Sequence, residues 1–204
     1  MTTQMNTHPI SRGLSVAALA TAVALLAGCA APARVDQMQV NLPMATRTAA
    51  ATSVLHNEIG IKDVAGGSET TPMWMSKVSS ADFERAHEAS LKDAGLLSPN
   101  RQGSKFQLIA TLQKLDQPFM GASLTVTATV TYSLINRATN KEVFSRTYAP
   151  PYTAAWNAAF LGTERLRLAN EGAIRANIEA FINELLAQNI VGGAGAVSVD
   201  VAAG

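Results

Sequence analysis

The chain has 204 residues, and its 16 lysines and arginines against 15 aspartates and glutamates give a formal net charge of +1 at pH 7. A domain with so little net charge lacks the basic surface that nucleic acid binding requires, so we expect no nucleic acid partner. The only cysteine, Cys29, excludes disulfide scaffolds and metal sites built from several cysteines.

The first 28 residues have the organisation of an export signal. Residues 1–13 are polar with one positive side chain, Arg12, and residues 14–27 are almost wholly apolar. This apolar run is shorter than the about 20 residues that a membrane-spanning helix needs, but it fits the hydrophobic region of a secretory signal peptide. We therefore predict that residues 1–28 are a signal peptide.

The apolar run ends in Leu26-Ala27-Gly28-Cys29, which resembles the lipobox of bacterial lipoproteins. The resemblance implies that a dedicated signal peptidase recognises Leu26, Ala27 and Gly28 and cuts before the cysteine. It also implies that Cys29 carries a diacylglyceryl group on sulfur and an acyl group such as palmitate on its amino group. The membrane is then a partner of the chain through this lipid anchor. An ordinary signal peptide that happens to end in cysteine is the alternative.

The residue after the cysteine bears on the destination of such a lipoprotein. In enteric bacteria an Asp at this position marks retention at the inner membrane, and here the residue is Ala30. The resemblance therefore implies the periplasm-facing leaflet of the outer membrane, with the periplasmic face of the inner membrane as the alternative.

Two segments of simple composition flank the rest of the chain. Residues 29–53 are predicted to be the lipidated cysteine and a flexible tether rich in Ala, Thr and Gln, although residues 35–42 could add an edge strand. Residues 191–204 are rich in Gly and Ala and are predicted to be a mobile tail. A single domain is expected over residues 54–190, which is ample for one core.

The domain begins with a predicted strand over residues 58–64, followed by a helix that Ser79 or Ser80 caps and Gly95 ends. The apolar face of this helix is Phe83, Ala86, Ser90, Leu91 and Ala94. His87 falls between charged residues and is predicted to be solvated. A second strand is predicted over residues 105–116.

A long strand over residues 123–135 is the clearest element. Apolar side chains alternate in it with serine and threonine, which predicts a strand with one buried face and one solvated hydroxyl face. That face could instead lie against glycan or protein. Residues 136–140 turn the chain into a pairing strand over residues 141–148.

A long helix closes the domain. Thr163 is predicted to cap it, it extends to about Gln188, and Gly172 is predicted to allow close packing. Its apolar stripe is Ile174, Ile178, Phe181, Ile182 and Leu185.

The order β-α-β-β-β-α predicts an α+β fold, with an antiparallel sheet and two helices packed on one face. A lipobox, this element order and a closing amphipathic helix resemble small uncharacterised Gram-negative outer-membrane lipoproteins of the YajG-like group. The resemblance implies a location in the envelope without an established activity.

Catalytic and metal-binding motifs are absent from the sequence. His8 leaves with the signal peptide, and His56 and His87 lack metal-ligand spacing. The acidic residues form no motif, and neither a G-x-S-x-G elbow nor a phosphate-binding loop occurs. We therefore expect no enzyme, no cofactor and no metal site.

Three aromatic residues stand four apart in a segment without charge, namely Tyr152, Trp156 and Phe160. On a short helix they would share one face. That face is either a lid that closes one end of the core or a partner-binding patch, because Trp and Tyr dominate interface hot spots. Trp74 could extend such a patch.

These features favour a membrane-anchored, non-catalytic envelope lipoprotein that acts as a binding or scaffolding module in outer-membrane assembly or maintenance, with an envelope protein as partner. One alternative is a carrier of an amphiphilic ligand such as lipid or lipopolysaccharide, which needs a cavity of several hundred Å³ lined by Leu and Val. Another is a cryptic periplasmic hydrolase, which needs clustered acids with perturbed pKa values.

Overall fold

Five strands form one sheet in the computed structural model of the protein, which describes residues 30–70, 76–118 and 121–188. The predicted signal peptide, Cys29, Trp74 and the predicted tail over residues 191–204 lie outside these ranges. The strands are β1 Ile59–Ala65, β2 Phe106–Asp116, β3 Leu124–Asn136, β4 Lys141–Tyr148 and β5 Pro151–Ala154. The helices are α1 Val35–Met38, α2 Met44–Ala51, α3 Ser80–Asp93 and α4 Gly162–Ala187.

The sheet is mostly antiparallel. β3 lies between β2 and β4 and pairs antiparallel with both, and β5 pairs with the first four residues of β3, beyond the reach of β4. β1 is parallel to β2 because α3 carries the chain back across the sheet between them. The predicted α+β class is confirmed, with one parallel pair in the predicted antiparallel sheet and a fifth strand that the sequence pattern did not indicate.

Both long helices pack on the same face of the sheet. His87 on α3 and Phe181 on α4 each contact Tyr132, whose side chain is fully buried in the middle of β3. The predicted apolar stripes of both helices are buried, and so are the apolar side chains of β3. Ser79 caps α3 by accepting a hydrogen bond from Asp82 N at 3.1 Å.

The other face of the sheet carries the hydroxyl side chains of β3, which are half-buried or exposed. Their hydroxyls pair across strands, as Thr125 does with Thr153 and Thr131 with Thr147, both at 2.8 Å. Such cross-strand pairs stabilise an exposed sheet face.

One end of α4 differs from its prediction. The helix begins at Gly162, after Leu161, whose side chain makes no capping hydrogen bond, so the predicted Thr163 cap is wrong. Arg165 instead holds the turn before the helix, donating from Nη1 to Ala159 O at 2.9 Å.

Residues 30–53 do not form the predicted flexible tether, nor do residues 35–42 add an edge strand. Met38, Val40 and Leu42 are buried, and the segment lies over the helices as α1, an extended stretch and α2. The reason is that its backbone finds acceptors on α3, with Val40 N donating to the Ser90 hydroxyl at 3.0 Å and Leu42 N donating to Asp93 Oδ2 at 3.1 Å.

Candidate functional site

The chain just after Cys29 is fixed to the domain. Ala30 and Ala33 are buried, and Arg34 contacts Glu171 of α4, whose side chain is only 1% exposed. Arg34 N donates to Glu171 Oε1 at 2.9 Å, while Arg34 Nε and Nη2 donate to Oε1 and Oε2, both at 3.1 Å. Bidentate, charge-assisted bonds of this kind are among the strongest hydrogen bonds in proteins.

The opposite charges of Arg34 and Glu171 stabilise each other. The hydrogen bond to the Glu171 carboxylate raises the pKa of the Arg34 guanidinium, against the opposing effect of partial burial. Arg167 Nε adds a second cation 3.7 Å from Glu171 Oε1. A buried carboxylate costs much free energy unless it is paired, so the two arginines explain how Glu171 is tolerated inside α4.

The direction of this segment along α4 follows from its next contact. Gln37 O accepts a hydrogen bond from Arg175 Nη1 at 2.5 Å, about one helical turn beyond Glu171. Residues 34–37 therefore follow α4 toward its carboxyl end.

Contacts with the sheet place the same residues at one end of the strands. Ala33 N donates to Lys77 O at 3.3 Å. The neighbouring Ser76 O accepts from Asn170 Nδ2 and from Gln117 Nε2, both at 2.8 Å, and Gln117 directly follows β2. We call this part of the molecule, where the chain enters, β2 ends and β5 ends, the anchor end.

A loop over residues 155–161, here called the aromatic loop, projects from the anchor end. It follows β5, which pairs with the start of β3 next to the end of β2. Trp156 is 68% exposed, Phe160 98% and Leu161 38%. Arg165 Nη1 also donates to Phe160 O at 3.2 Å, so the backbone of the loop is held in place while its large side chains face outward.

Tyr152, Trp156 and Phe160 therefore do not share one face of a short helix, and Trp156 and Phe160 do not close the core as a lid. Tyr152 lies in β5 and packs inward on α4 beside Gly172, and the Arg175 guanidinium lies 5.7 Å from its ring centre. Of the predicted partner-binding residues, Trp156 and Phe160 are exposed and Tyr152 is engaged within the domain. The physical reason is that β4 pairs with only part of β3, and the remaining edge of β3 takes up residues 151–154 as a strand.

His87 is buried, so its predicted solvent exposure is wrong. Its Nδ1 lies 2.8 Å from Phe83 O and its Nε2 3.3 Å from the Tyr132 hydroxyl. Burial lowers the pKa of His87 to about 4, which keeps the ring neutral in the core. The signal was present in the sequence, because His87 follows Phe83 by four residues and so shares its helical face.

A carrier of an amphiphilic ligand needs an apolar cavity, and a metal site needs several ligand side chains close together. Two cavities, of about 290 Å³ and 320 Å³, open at the surface and are lined in part by charged side chains, Lys77 and Lys114 in one and Glu171 and Arg175 in the other. In the described ranges, no three His, Cys, Asp or Glu side chains are grouped closely enough to hold a metal ion. None of the helices described is long and apolar enough to cross a membrane.

Comparisons with known proteins give structural neighbours only. No protein-family model matches the chain, and no curated protein matches its sequence. A DUF330-family protein from Xanthomonas campestris is 14% identical, with a TM-score of 0.48 over 64% of this chain and 84% of that one. A protein from Caulobacter crescentus named as a candidate lipoprotein is 9% identical, with a TM-score of 0.44 over 70% and 93%. A minor lipoprotein from Acinetobacter baumannii is 9% identical, with a TM-score of 0.42 over 66% and 95%. These similarities assign neither a family nor an activity to the chain.

Proposed function

We propose that the chain is a membrane-anchored envelope lipoprotein whose domain acts as a non-catalytic binding or scaffolding module in outer-membrane assembly or maintenance. The observation that carries this proposal is the sequence Leu26-Ala27-Gly28-Cys29 immediately before a folded domain. Cleavage before Cys29 would leave the domain intact, because the described residues begin to pack at Ala30.

The lipid anchor would act by holding the domain at one membrane surface. Each buried methylene contributes about 0.8 kcal/mol, and two or three acyl chains hold a protein stably on a membrane. Anchoring raises the effective concentration of the domain for neighbours on the same membrane. The Ala30 that follows the cysteine favours the periplasm-facing leaflet of the outer membrane.

A non-catalytic role is supported by the ionisable side chains, several of which form ion pairs or hydrogen bonds within the domain. Glu171 binds Arg34, Glu84 binds Arg101, and Asp93 binds both Arg47 and the backbone of Leu42. The buried His87 is hydrogen-bonded inside the core. These groups stabilise the domain, and the partner we propose for it is another protein of the envelope.

Lipidation is tested by labelled palmitate in a Gram-negative host. The wild-type protein should incorporate the label and lose its signal peptide, whereas Cys29→Ser should stay an unlabelled precursor. Ala30→Ser, which leaves the cysteine in place, is the matched control and should be labelled. Labelling of Cys29→Ser would contradict the proposal, and density-gradient separation of the two membranes would test its location.

The scaffolding role is tested by cross-linking in intact cells followed by mass spectrometry. We expect the lipidated protein to recover a defined set of envelope proteins that is lost when Cys29→Ser prevents lipidation and release of the signal peptide. Recovery of no other protein at any cross-linker length would argue against a binding module, even if lipidation were established.

A further inference from the structure

We propose that the aromatic loop docks on the phospholipid bilayer that holds the Cys29 anchor, with the side chains of Trp156 and Phe160 in its interfacial layer. The inference rests on the lipid attachment proposed above and adds a second contact, made by the protein itself, with the same membrane. The domain would then sit on the bilayer in one orientation.

The loop has the composition of a membrane-contacting segment. Residues 149–163 contain no charged side chain. Single exposed apolar residues are common on protein surfaces, but here Trp156, Phe160 and Leu161 are exposed together within six residues. Tryptophan is enriched at the membrane–water interface, where its ring contacts acyl chains and its N–H stays hydrated.

The exposure of these side chains is built into the fold. The Arg165 guanidinium donates to the carbonyls of Ala159 and Phe160, and Ala158 N donates to Ala155 O at 3.0 Å. The loop is thus an ordered turn anchored on α4. Its aromatic side chains need no rearrangement of the domain in order to enter a bilayer.

The position of the proposed lipid attachment favours a membrane as the surface that the aromatic loop contacts. Consecutive Cα atoms lie about 3.8 Å apart, so a lipidated Cys29 would lie within about 15 Å of Ala33, which is packed against the domain. Ala33 and Arg34, four and five residues after Cys29, lie at the anchor end, from which the aromatic loop also projects. With so short a connection, the acyl chains can enter a bilayer only if the anchor end faces it.

The test uses the fluorescence of lipidated, full-length mature protein in phosphatidylcholine vesicles. The chain has two tryptophans, so Trp74→Phe leaves Trp156 as the only reporter. Vesicles whose lipids carry bromine at the depth that interfacial side chains reach, about 5–10 Å, should quench most of the Trp156 emission. The Trp156 emission should also lie at a shorter wavelength in vesicles than in buffer without vesicles or detergent. In that buffer a soluble carrier protein binds the acyl chains and keeps the protein in solution.

The matched control moves the reporter to the opposite end of the domain. Val54 is also apolar and 56% exposed, and it precedes the start of β1, which pairs with the start of β2. Val54→Trp, combined with Trp74→Phe and Trp156→Phe, should emit equally in brominated and plain vesicles. Equal quenching of both reporters would overturn a fixed orientation.

Lipidation is read separately, so the two proposals fail in different ways. A protein that incorporates palmitate and floats with vesicles, but whose Trp156 is not quenched, overturns docking and leaves the anchor intact. A protein that neither incorporates palmitate nor floats overturns the anchor itself. A photoactivatable side chain at position 160 should cross-link to lipid in cells. Cross-links to a protein instead would identify the loop as a protein interface and overturn the inference.

Discussion

The ring of Tyr152 lies where a side chain would project from Gly172. A Cβ atom on Gly172 would lie 2.2 Å from Tyr152 Cε1, far inside any allowed contact. β5 therefore packs against α4 at a separation that only glycine permits. This contact also sets where the aromatic loop leaves the sheet, because the loop begins directly after β5.

Replacing this glycine should destabilise the domain. Gly172→Ala forces the Tyr152 ring to move and should lower the free energy of unfolding by about 1–3 kcal/mol, the usual effect of overpacking. In a Tyr152→Ala background the clash is gone, and the same change should stabilise the helix by up to about 1 kcal/mol. Urea denaturation of the four proteins measures both effects. The same sign in both backgrounds would contradict the close contact.

The alternation along β3 predicts opposite tolerances at adjacent positions. Val130 is fully buried, so Val130→Asp places a charge in the core and should cost several kcal/mol, enough to unfold a domain of ordinary stability. Thr129 lies on the hydroxyl face, and Thr129→Asp should cost less than about 1 kcal/mol. Thermal melts of the two variants give the comparison, and equal losses would mean that the sheet is covered on both faces.

Buried His87 should make stability depend on pH. Its pKa is about 4 in the folded protein and about 6.5 in the unfolded chain, so the unfolded state binds the proton first as the pH falls. The contribution of the neutral ring to the free energy of unfolding is complete above about pH 6.5 and is lost as the pH falls toward 4. We expect this free energy to fall by about 2 kcal/mol between pH 7.5 and 5. His87→Gln should remove this part of the dependence and keep that of the carboxylates. Identical pH profiles of the two proteins would count against a buried neutral histidine.

Exposed aromatic side chains should matter little for stability. Trp156→Ala and Phe160→Ala remove side chains that face solvent in the free protein, so each should change the free energy of unfolding by less than about 0.5 kcal/mol. Phe181→Ala is the matched control, because Phe181 is buried and stacks on Tyr132 at 4.2 Å, and it should cost about 3–5 kcal/mol. A large loss from Trp156→Ala, measured by urea denaturation, would restore the lid interpretation.

Much of the fold could be predicted from the sequence because its main elements carry strong local patterns. The alternation in β3 and the apolar stripe of α4 each repeat over many residues, so the assignment of these elements does not depend on any single position. Ser79 and Gly95 were identifiable as the ends of α3, since capping and a positive φ angle, +70° at Gly95, are local requirements.

The rest depended on tertiary contacts that no local pattern reveals. Residues 151–154 form a strand because the edge of β3 beside them is free. The segment after Cys29 is ordered because Ser90, Asp93 and Glu171 accept hydrogen bonds from it, and all three are distant in sequence. Of the candidate site, the position of Ala33 and Arg34 near the aromatic loop was therefore not predictable from the sequence.

The bond between Arg34 and Glu171 would limit how far the domain could move from a membrane under the lipid anchor that we propose. It holds the chain to α4 only five residues after Cys29. A lipidated protein would therefore have no long flexible linker that lets the domain extend across the periplasm. A compact domain of this size has a diameter of about 40 Å. Any partner would have to present its binding surface within that height above the leaflet, and encounters would arise from lateral diffusion along the membrane instead of from capture at a distance.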